Sequence, residues 1–299
     1  MRETIALEMT VSTMPGIVVA ALLTLTLALG VAGWVLFKRL RLPDRAFAAL
    51  GVLGGAGAFF GAFYLLRLPL DQGLQSLLRG YPAWLRFGAT FYAPLTEEAA
   101  KWVLLIPFLL LGKIKREHQA AWAICLGFGF GMGEIVFLAQ RIAADPSTLT
   151  LPWYQSSGFI IERLMVCVIH SALVLLAIDA LCSRKLWRLL LPLVIHWLLN
   201  FPIYLSTRVP LDAAGIVWGQ LLWMWSSLFF VSALILLGQR LLTPSERIAA
   251  LLGKAICPEC HTLYVRPWWG VNRIGKRYER CPQCKHYHWT TLYREDSEP

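Results

Sequence analysis

Residues 119–140 read QAAWAICLGFGFGMGEIVFLAQ, and this stretch decides what kind of protein the chain forms. A helix needs about 20 mainly apolar residues to cross a bilayer, and the stretch has that character with one charged residue, Glu134. Glycine occupies every second position from 127 to 133, immediately before that carboxylate. Because small residues let helices approach closely, the stretch predicts a membrane-spanning helix with a neighbouring backbone packed near Glu134.

The composition of the whole chain agrees with a membrane location. Of 299 residues, 57% are hydrophobic and 15% are charged, with a mean hydropathy of +0.57. Soluble domains contain about 25% charged residues, so most of this chain is expected to lie in lipid. The net charge of +10 would suggest nucleic-acid binding in a soluble protein. Here, however, Lys and Arg cluster in short loops and in the C-terminal tail, which is typical of membrane topology, and nucleic acid is not expected as a partner.

The hydropathy pattern predicts an all-α polytopic membrane bundle of about seven transmembrane helices. Two pairs of cysteines near the C-terminus predict a small β zinc-ribbon domain after it. The first predicted span is too long for the apolar part of a signal peptide and is followed by basic residues, so it is expected to be retained. The domains are predicted as a transmembrane domain at 1–240 with its core at 88–205, a linker at 241–254 and the ribbon at 255–299. The predicted spans are 15–37, 46–66, 88–111, 119–140, 158–181, 187–205 and 213–237.

Basic residues in the loops predict the orientation of the bundle. The loops 38–45, 113–116 and 184–188 are rich in Lys and Arg, and such loops face the cytoplasm. The N-terminus is then expected outside and the ribbon inside, in a multi-pass protein of the inner or plasma membrane. The segment 67–87, with Arg67, Arg79 and Arg86, fits this pattern less well and is interpreted as an interfacial helix on the outer face.

Several polar residues fall inside the predicted spans. A charged side chain at a helix centre costs about 2.5–3.5 kcal/mol on insertion scales, so such residues usually have a function. At a rise of about 1.5 Å per residue, these residues lie about 8–18 Å below the predicted outer surface, and they are Glu97, Glu134, His170, His196 and Asn200. We therefore expect one shared, water-filled cavity lined by Glu97, Glu98, Glu134, His170, His196 and Asn200, with Lys101 in support.

A purely structural role is the simpler interpretation of any single member of this set. Lys101 can neutralise Glu97 at i+4 or Glu98 at i+3 on the same helix. Near the span ends, Asp179 and the Glu162–Arg163 pair are interpreted as snorkelling or interfacial charges.

The order of these residues resembles a known family. The run Glu97-Glu98-Ala99-Ala100-Lys101 resembles the EExxK motif of the PrsW family of intramembrane proteases. Phe130-x-x-x-Glu134 is similar to that family's second motif. His170 and His196-x-x-x-Asn200 are similar to the histidine motifs of PrsW and of the wider CAAX-protease and bacteriocin-processing superfamily. The resemblance covers residues 88–205, and the cysteine-rich tail is not part of the usual PrsW core.

The resemblance implies cleavage of a membrane-protein substrate, such as an anti-sigma factor or another regulatory protein, within or near the bilayer. Peptide hydrolysis needs a base for water, a group that stabilises the oxyanion and an acid for the leaving amine. Glu97 or Glu98 is assigned as the base, held by the other glutamate or by His170. His196 and Asn200 are assigned to the oxyanion.

Two kinds of alternative remain open at this stage. Within the same class, Glu and His side chains could ligate a catalytic zinc, although the spans lack the HExxH spacing that places two ligands on one helix face. From other classes, a transporter or proton-coupled channel would also place carboxylates and histidines in the membrane. A third alternative is a non-catalytic scaffold whose ribbon recruits partners.

The tail carries the most specific metal-binding pattern in the chain. Cys257-Pro-Glu-Cys260 and Cys281-Pro-Gln-Cys284 are separated by twenty residues, a spacing typical of a structural zinc site with four thiolates. Two disulfides, or iron in place of zinc, are the alternatives. Basic and aromatic residues between the two pairs predict contact with membrane lipid and a role in substrate docking or regulation. These residues are Arg266, Trp268, Trp269, Arg273, Lys276, Arg277 and Tyr278.

Overall fold

The structure is a computed structural model that describes residues 15–40, 45–77, 92–112, 114, 118–206, 218–242, 252–273 and 275–293. The chain forms two compact units, Met1–Leu237 and Gly238–Pro299. Several predictions concern residues outside the described ones. They are the side of the N-terminus, parts of the loops 38–45 and 113–116, the segment 78–87, the starts of the spans predicted at 88 and 213, and residues 243–251 of the linker.

The described part of the first unit is helical. Its main helices are α1 (Gly16–Gly33), α2 (Arg45–Gly61), α3 (Leu68–Leu77), α4 (Tyr92–Leu110), α5 (Gln119–Ala143), α6 (Ser157–Cys182), α7 (Leu190–Ser206) and α8 (Trp218–Leu241). A π-helical segment, Trp34–Arg39, extends α1, and another, Ala62–Arg67, joins α2 to α3. Short 3₁₀ turns at Pro146–Thr148, Trp153–Ser156 and Leu186–Leu189 lie in the connections around α6.

Six helical segments among the described residues are long and apolar enough to cross a membrane, which indicates a multi-pass membrane protein. They correspond to six of the seven predicted spans. Helix α4 has 19 residues but carries three charged side chains, so the predicted count of seven is not established by length and composition. The six are Gly16–Lys38, Arg45–Leu74, Gln119–Ala143, Trp153–Cys182, Leu186–Ile203 and Trp218–Leu241.

Helix α5 lies at the centre of the bundle, packed against α1, α2 and α6. Its alternating glycines face two different neighbours. A Cβ atom on Gly129 would lie 2.8 Å from the carbonyl carbon of Val52 on α2, and one on Gly131 would lie 3.0 Å from the Cα of Cys167 on α6. These backbones can approach so closely only because glycine has no side chain.

The glycines of α2 divide into two groups. Gly51 and Gly55 pack directly against α5, at Cys125 and at the Leu126–Phe130 backbone. Around Gly57 and Gly61, in contrast, a Cβ atom would meet no other atom within 4 Å.

The helix does not end at residue 66, where the second predicted span ends. The helix that begins at Arg45 continues through Ala62–Arg67 and reaches Leu77, so no break in the helix separates this span from Arg67. Arg67 can remain there because its guanidinium pairs with Glu97 of α4, at 3.2 Å between Nη1 and Oε1.

The second unit contains two small antiparallel sheets. Strands β1 (Lys254–Ile256) and β2 (Leu263–Val265) form one sheet, with Ala255 opposite Tyr264. Strands β3 (Val271–Arg273), β4 (Lys276–Arg280) and β5 (Tyr287–Thr290) form the other in the order β3-β4-β5. Cys257 and Cys281 are fully buried in the core of the second unit, beside Ala255 and Tyr264. The expected helical bundle with a small β domain that carries a cysteine cluster is thus observed.

Replacing Gly129 with alanine tests the packing of α5. We expect Gly129→Ala to lower the free energy of unfolding by about 1–3 kcal/mol, because the new methyl group would overlap backbone atoms of Val52. The matched control is Gly57→Ala, where the methyl group meets open space and stability should change by no more than about 1 kcal/mol. Unfolding in mixed micelles measures both, and equal losses would contradict the packing described.

Candidate functional site

A cavity of about 680 Å³ lies among the helices of the first unit. One part of its wall is apolar and is formed by side chains including Phe59, Phe63, Phe137, Leu138, Val166, Ile169 and Leu199. The other part is polar and contains five of the six predicted catalytic residues, which are Glu97, Glu134, His170, His196 and Asn200. Helices α4, α5, α6 and α7 thus bring five of the six expected residues to one cavity, whereas Glu98, which was also expected there, does not line it.

The two adjacent glutamates of α4 have different surroundings. Successive residues of a helix point about 100° apart, so Glu97 faces the cavity while Glu98 points into the bundle and is fully buried. Oε1 of Glu98 accepts hydrogen bonds from Nζ of Lys101 at 2.6 Å and from Nδ1 of His196 at 2.7 Å. Of the two pairings that the sequence allows for Lys101, the i+3 pairing with Glu98 is the one observed.

Lys101 also determines the tautomer of His170. Its Nζ lies 3.0 Å from Nδ1 of His170, and an ammonium group can only donate, so Nδ1 accepts. The ring proton of the neutral imidazole is then on Nε2, which faces Oε2 of Glu134 at 3.3 Å. Beneath the ammonium, the ring of Phe130 makes a cation–π contact with its centroid 4.2 Å from Nζ. One buried lysine therefore orients groups on three helices.

His196 connects the buried and exposed parts of the site. Its Nδ1 is held by Glu98, which leaves Nε2 beside Oε2 of Glu97 at 3.6 Å. Asn200 follows one helical turn later on α7 and lines the same cavity. The i to i+4 spacing thus places the imidazole and the amide on one side of α7.

Two arginines of the site were not predicted. Arg67 binds Glu97 at 3.2 Å, and Arg163 binds Glu134 at 2.8 Å between Nη1 and Oε1. Arg163 also pairs with Glu162, which has a more exposed side chain. The interpretation of Arg163 as a snorkelling residue is wrong, since only 8% of it is exposed and its partner is a cavity carboxylate.

A signal for these arginines was present in the sequence. The predicted spans contain three glutamates of the candidate site but one lysine, so two negative charges lack a partner in that set. Because buried charges need partners, two further cations had to lie nearby. Their positions depend on contacts between residues 29 and 30 apart in sequence.

The arrangement suits general acid–base chemistry on a bound molecule. Glu97 and Glu134 both line the cavity, and each is held by a guanidinium and approached by an imidazole. A positioned carboxylate can accept a proton from water, and nearby hydrogen-bond donors can stabilise a developing negative charge. Fixed charges in a partly apolar cavity interact more strongly than they would in water.

The buried cluster does not fit a catalytic metal. Glu98, His170 and His196 offer one donor atom each within 4.8 Å of one another, which is close enough for shared coordination. Zinc would need the free lone pairs of these atoms at about 2.0–2.2 Å. The Lys101 ammonium already binds Glu98 and His170, so its positive charge lies where a metal ion shared by these donors would lie. Three of the donor atoms, Oε1 of Glu98 and Nδ1 of both histidines, are thus already hydrogen-bonded.

No known protein family, characterised protein or solved structure matches this chain. The resemblance to the PrsW family therefore rests on its motifs, which run from Glu97 to Lys101, from Phe130 to Glu134, and through His170, His196 and Asn200. In the structure, residues from all of these motifs lie at one cavity or in the buried cluster around Lys101 beside it.

The second unit contains a candidate metal centre. The Sγ atoms of Cys257 and Cys284 are 3.6 Å apart, and those of Cys260 and Cys281 are 3.7 Å apart. All four sulfurs lie within 4.8 Å of one another, and none of them forms a disulfide in the structure. Zinc–sulfur bonds of about 2.3 Å in a tetrahedron give similar sulfur separations, so these cysteines could bind a metal such as zinc.

The backbone shapes both cysteine pairs in the same way. After each pair, one residue adopts a positive φ angle, 55° at His261 and 66° at Lys285. The N–H of His261 donates to the carbonyl of Cys257 at 3.0 Å, and that of Lys285 donates to Cys281 at 3.1 Å. These tight turns bring the two thiols of each pair to the same side and fit the proposed ligand set.

A buried carboxylate, Glu279, holds the sheets of this unit together. It accepts hydrogen bonds from Tyr264 at 3.0 Å and from Thr290 at 2.6 Å. Burial and the nearby Glu279 charge raise the pKa of the Tyr264 phenol, so it remains a donor at neutral pH. Arg266 and Arg277, predicted to contact a partner, are instead buried, and each has its Nε 3.5 Å from an oxygen of Glu279.

Removing the buried lysine tests the cluster around it. We expect Lys101→Met to lower the free energy of unfolding by about 3–5 kcal/mol, because Glu98 would remain charged and buried without its cation. The double variant Glu98→Gln/Lys101→Met should recover part of this loss. An exposed control, Lys38→Met, should change stability by less than about 0.5 kcal/mol. A double variant less stable than the single one would contradict the pairing.

Metal analysis of the purified chain distinguishes the two possible metal sites. We expect one equivalent of bound metal, lost in Cys281→Ser/Cys284→Ser and retained in His170→Ala, because the thiolates form the only ligand set free of a competing ammonium among the described residues. The exposed Cys182 provides the control, and Cys182→Ser should retain the metal. Loss of metal from His170→Ala would place an ion in the buried cluster instead.

Proposed function

We propose that the first unit is a PrsW-like intramembrane endopeptidase that cleaves a membrane-protein substrate with water activated by Glu97. The observation that carries the proposal is the position of Glu97, which faces the cavity with Arg67 on one side and His196 on the other. The order of the motifs supports the same reaction class, because it is the order of that family.

The proposed reaction begins with a water molecule between Glu97 and the scissile carbonyl carbon. Glu97 accepts one proton as the water oxygen bonds to that carbon. The resulting oxyanion receives a hydrogen bond from the amide of Asn200 and is also faced by His196, whose two ring nitrogens lie beside the carboxylates of Glu97 and Glu98. Glu97 then returns the proton to the amide nitrogen as the carbon–nitrogen bond breaks, which releases an acid and an amine.

Glu98 and Lys101 are positioning residues in this proposal. Glu98 is fully buried and does not reach the cavity, so it is not the base, but it fixes the orientation of His196. Lys101 neutralises Glu98 and orients His170. His170 and Arg163 in turn hold Glu134, the second carboxylate of the cavity, beside the substrate.

The proposed substrate is an apolar segment of another membrane protein. The cavity has a size typical of ligand sites, and an aromatic cluster on its apolar wall offers a surface for hydrophobic side chains. In that cluster, the rings of Phe63 and Phe137 lie 4.1 Å apart and those of Phe59 and Phe137 lie 5.7 Å apart. An anti-sigma factor or another regulatory protein is the substrate that the resemblance suggests.

The proposed topology has seven spans. Helix α4 is about 29 Å long, close to the thickness of the hydrocarbon core, and its three charges are buried against α2, α6 and α7 and away from lipid. Seven spans place the N-terminus outside and the ribbon in the cytoplasm, in line with the basic loops. The ribbon would then hold a structural zinc and serve in substrate docking or regulation.

Substitution of Glu97 tests the proposed mechanism. We expect Glu97→Gln to reduce cleavage of a single-span substrate in proteoliposomes by at least about 10²-fold, because an amide cannot accept the proton of water. Asn200→Ala should reduce it by about 10²–10³-fold through loss of an oxyanion donor. The matched control is Glu259→Gln, at an exposed position of the ribbon, which should cleave normally.

Two outcomes would contradict the assignment. Cleavage that survives in Glu97→Gln would exclude Glu97 as the base. Proton or solute flux through wild-type proteoliposomes without any cleavage would favour a transporter or channel instead.

A further inference from the structure

One surface of the second unit has no role in the proposed reaction. In β4, exposed and buried residues alternate, with Arg277 and Glu279 buried and the residues between them exposed. Cross-strand partners in an antiparallel sheet share a face, and Tyr278 is opposite both Val271 and Trp289, while Arg280 is opposite Tyr287. We call this surface the aromatic–basic face, formed by Val271, Arg273, Lys276, Tyr278, Arg280, Tyr287 and Trp289.

Aromatic rings form a continuous row across this face. The ring of Tyr278 lies 5.3 Å from that of Trp289 and 5.9 Å from that of Tyr287. Trp269, just before β3, continues the row at 5.8 Å from Tyr287. The rings remain substantially exposed, with 55% exposure at Tyr287 and 44% at Trp289. Such a row of exposed amphipathic rings is typical of an interaction surface.

The charges of the face are all of one sign. Arg273, Lys276 and Arg280 are exposed there, and the Arg280 guanidinium lies 5.7 Å from the centroid of Tyr287. The acidic residues in the described part of the unit are Glu259, in the first cysteine turn, and Glu279, which is buried on the opposite side of β4. The partner must therefore be anionic and must accommodate aromatic rings.

The connection to the membrane helices selects among anionic partners. Helix α8 ends at Leu241 and β1 begins at Lys254, so the connecting chain spans at most about 45 Å when fully extended. If α8 crosses the bilayer, this connecting chain keeps the aromatic–basic face within reach of one membrane surface, on whichever side of the bilayer the second unit lies. Lipid headgroups are thus present at far higher effective concentration than an anionic molecule in solution.

We propose that the aromatic–basic face binds the anionic surface of the bilayer. Tyr278, Tyr287 and Trp289 insert their rings at the headgroup level, and Arg273, Lys276 and Arg280 contact lipid phosphates. This inference does not depend on the peptidase reaction, since it rests on the second unit and on its tether to α8.

Photo-crosslinking of the full-length protein in lipid nanodiscs tests the proposal. Benzoylphenylalanine is placed at position 289, or at position 263 as a control, because Leu263 has similar exposure but lies in the other sheet. Nanodiscs contain phosphatidylcholine with or without phosphatidylglycerol. We expect lipid adducts at position 289 to increase by about five-fold or more with the anionic lipid, and those at position 263 to change little.

A charge variant separates binding from mere proximity. The triple variant Arg273→Gln/Lys276→Gln/Arg280→Gln should reduce the adducts at position 289 several-fold, whereas Lys254→Gln/Lys285→Gln should not. Bound metal is measured in each variant, because retained metal shows that the second unit is folded. A loss of adducts supports the proposal where the variant retains its metal.

Three results would overturn the proposal. One is an adduct yield at position 289 that is independent of anionic lipid, and another is a triple variant that retains both metal and adducts. The third is crosslinking of position 289 to an added single-stranded oligonucleotide or to a co-purified protein in preference to lipid.

Discussion

The ammonium group of Lys101 is the constraint on which the arrangement of the first unit depends. It is buried among helices, so its charge must be neutralised and its protons must be accepted by nearby groups. Glu98 and His170 satisfy it, and His196 completes the cluster through the same oxygen of Glu98. Rotating α4, α6 or α7 would leave a buried charge or imidazole without a partner, so this cluster fixes the orientation of all three helices.

The glycines of α5 make that arrangement possible. Gly127 and Gly131 let α6 approach, while Gly129 and Gly133 let α2 approach from another side. The close approach of α6 brings Arg163 and His170 to Glu134, and the continuous helix from α2 through α3 carries Arg67 to Glu97. The polar groups therefore meet because backbones without side chains between them pack tightly, and Glu97 and Glu134 each pair with a guanidinium.

The second unit follows the same principle on a smaller scale. A buried carboxylate, Glu279, is surrounded by the hydroxyls of Tyr264 and Thr290 and by two arginines. Because these polar groups occupy one side of β4, the alternating residues of that strand carry tyrosine and basic side chains to the other side. The four cysteines lie in turns beside the buried centre, so a small core, a cysteine cluster that could bind a metal and an exposed face share a few short strands.

Features that depend on local pattern could be predicted from the sequence. Hydropathy and length predicted six helices that are observed, the cysteine spacing predicted the cysteine cluster, and similar predicted depths indicated that Glu97, Glu134 and His170 lie together. The sequence could not predict which of the two adjacent glutamates faces the cavity, or which distant arginines pair with Glu97 and Glu134. These depend on how each helix is rotated about its axis, which is set by contacts between helices and not by the order of residues within one.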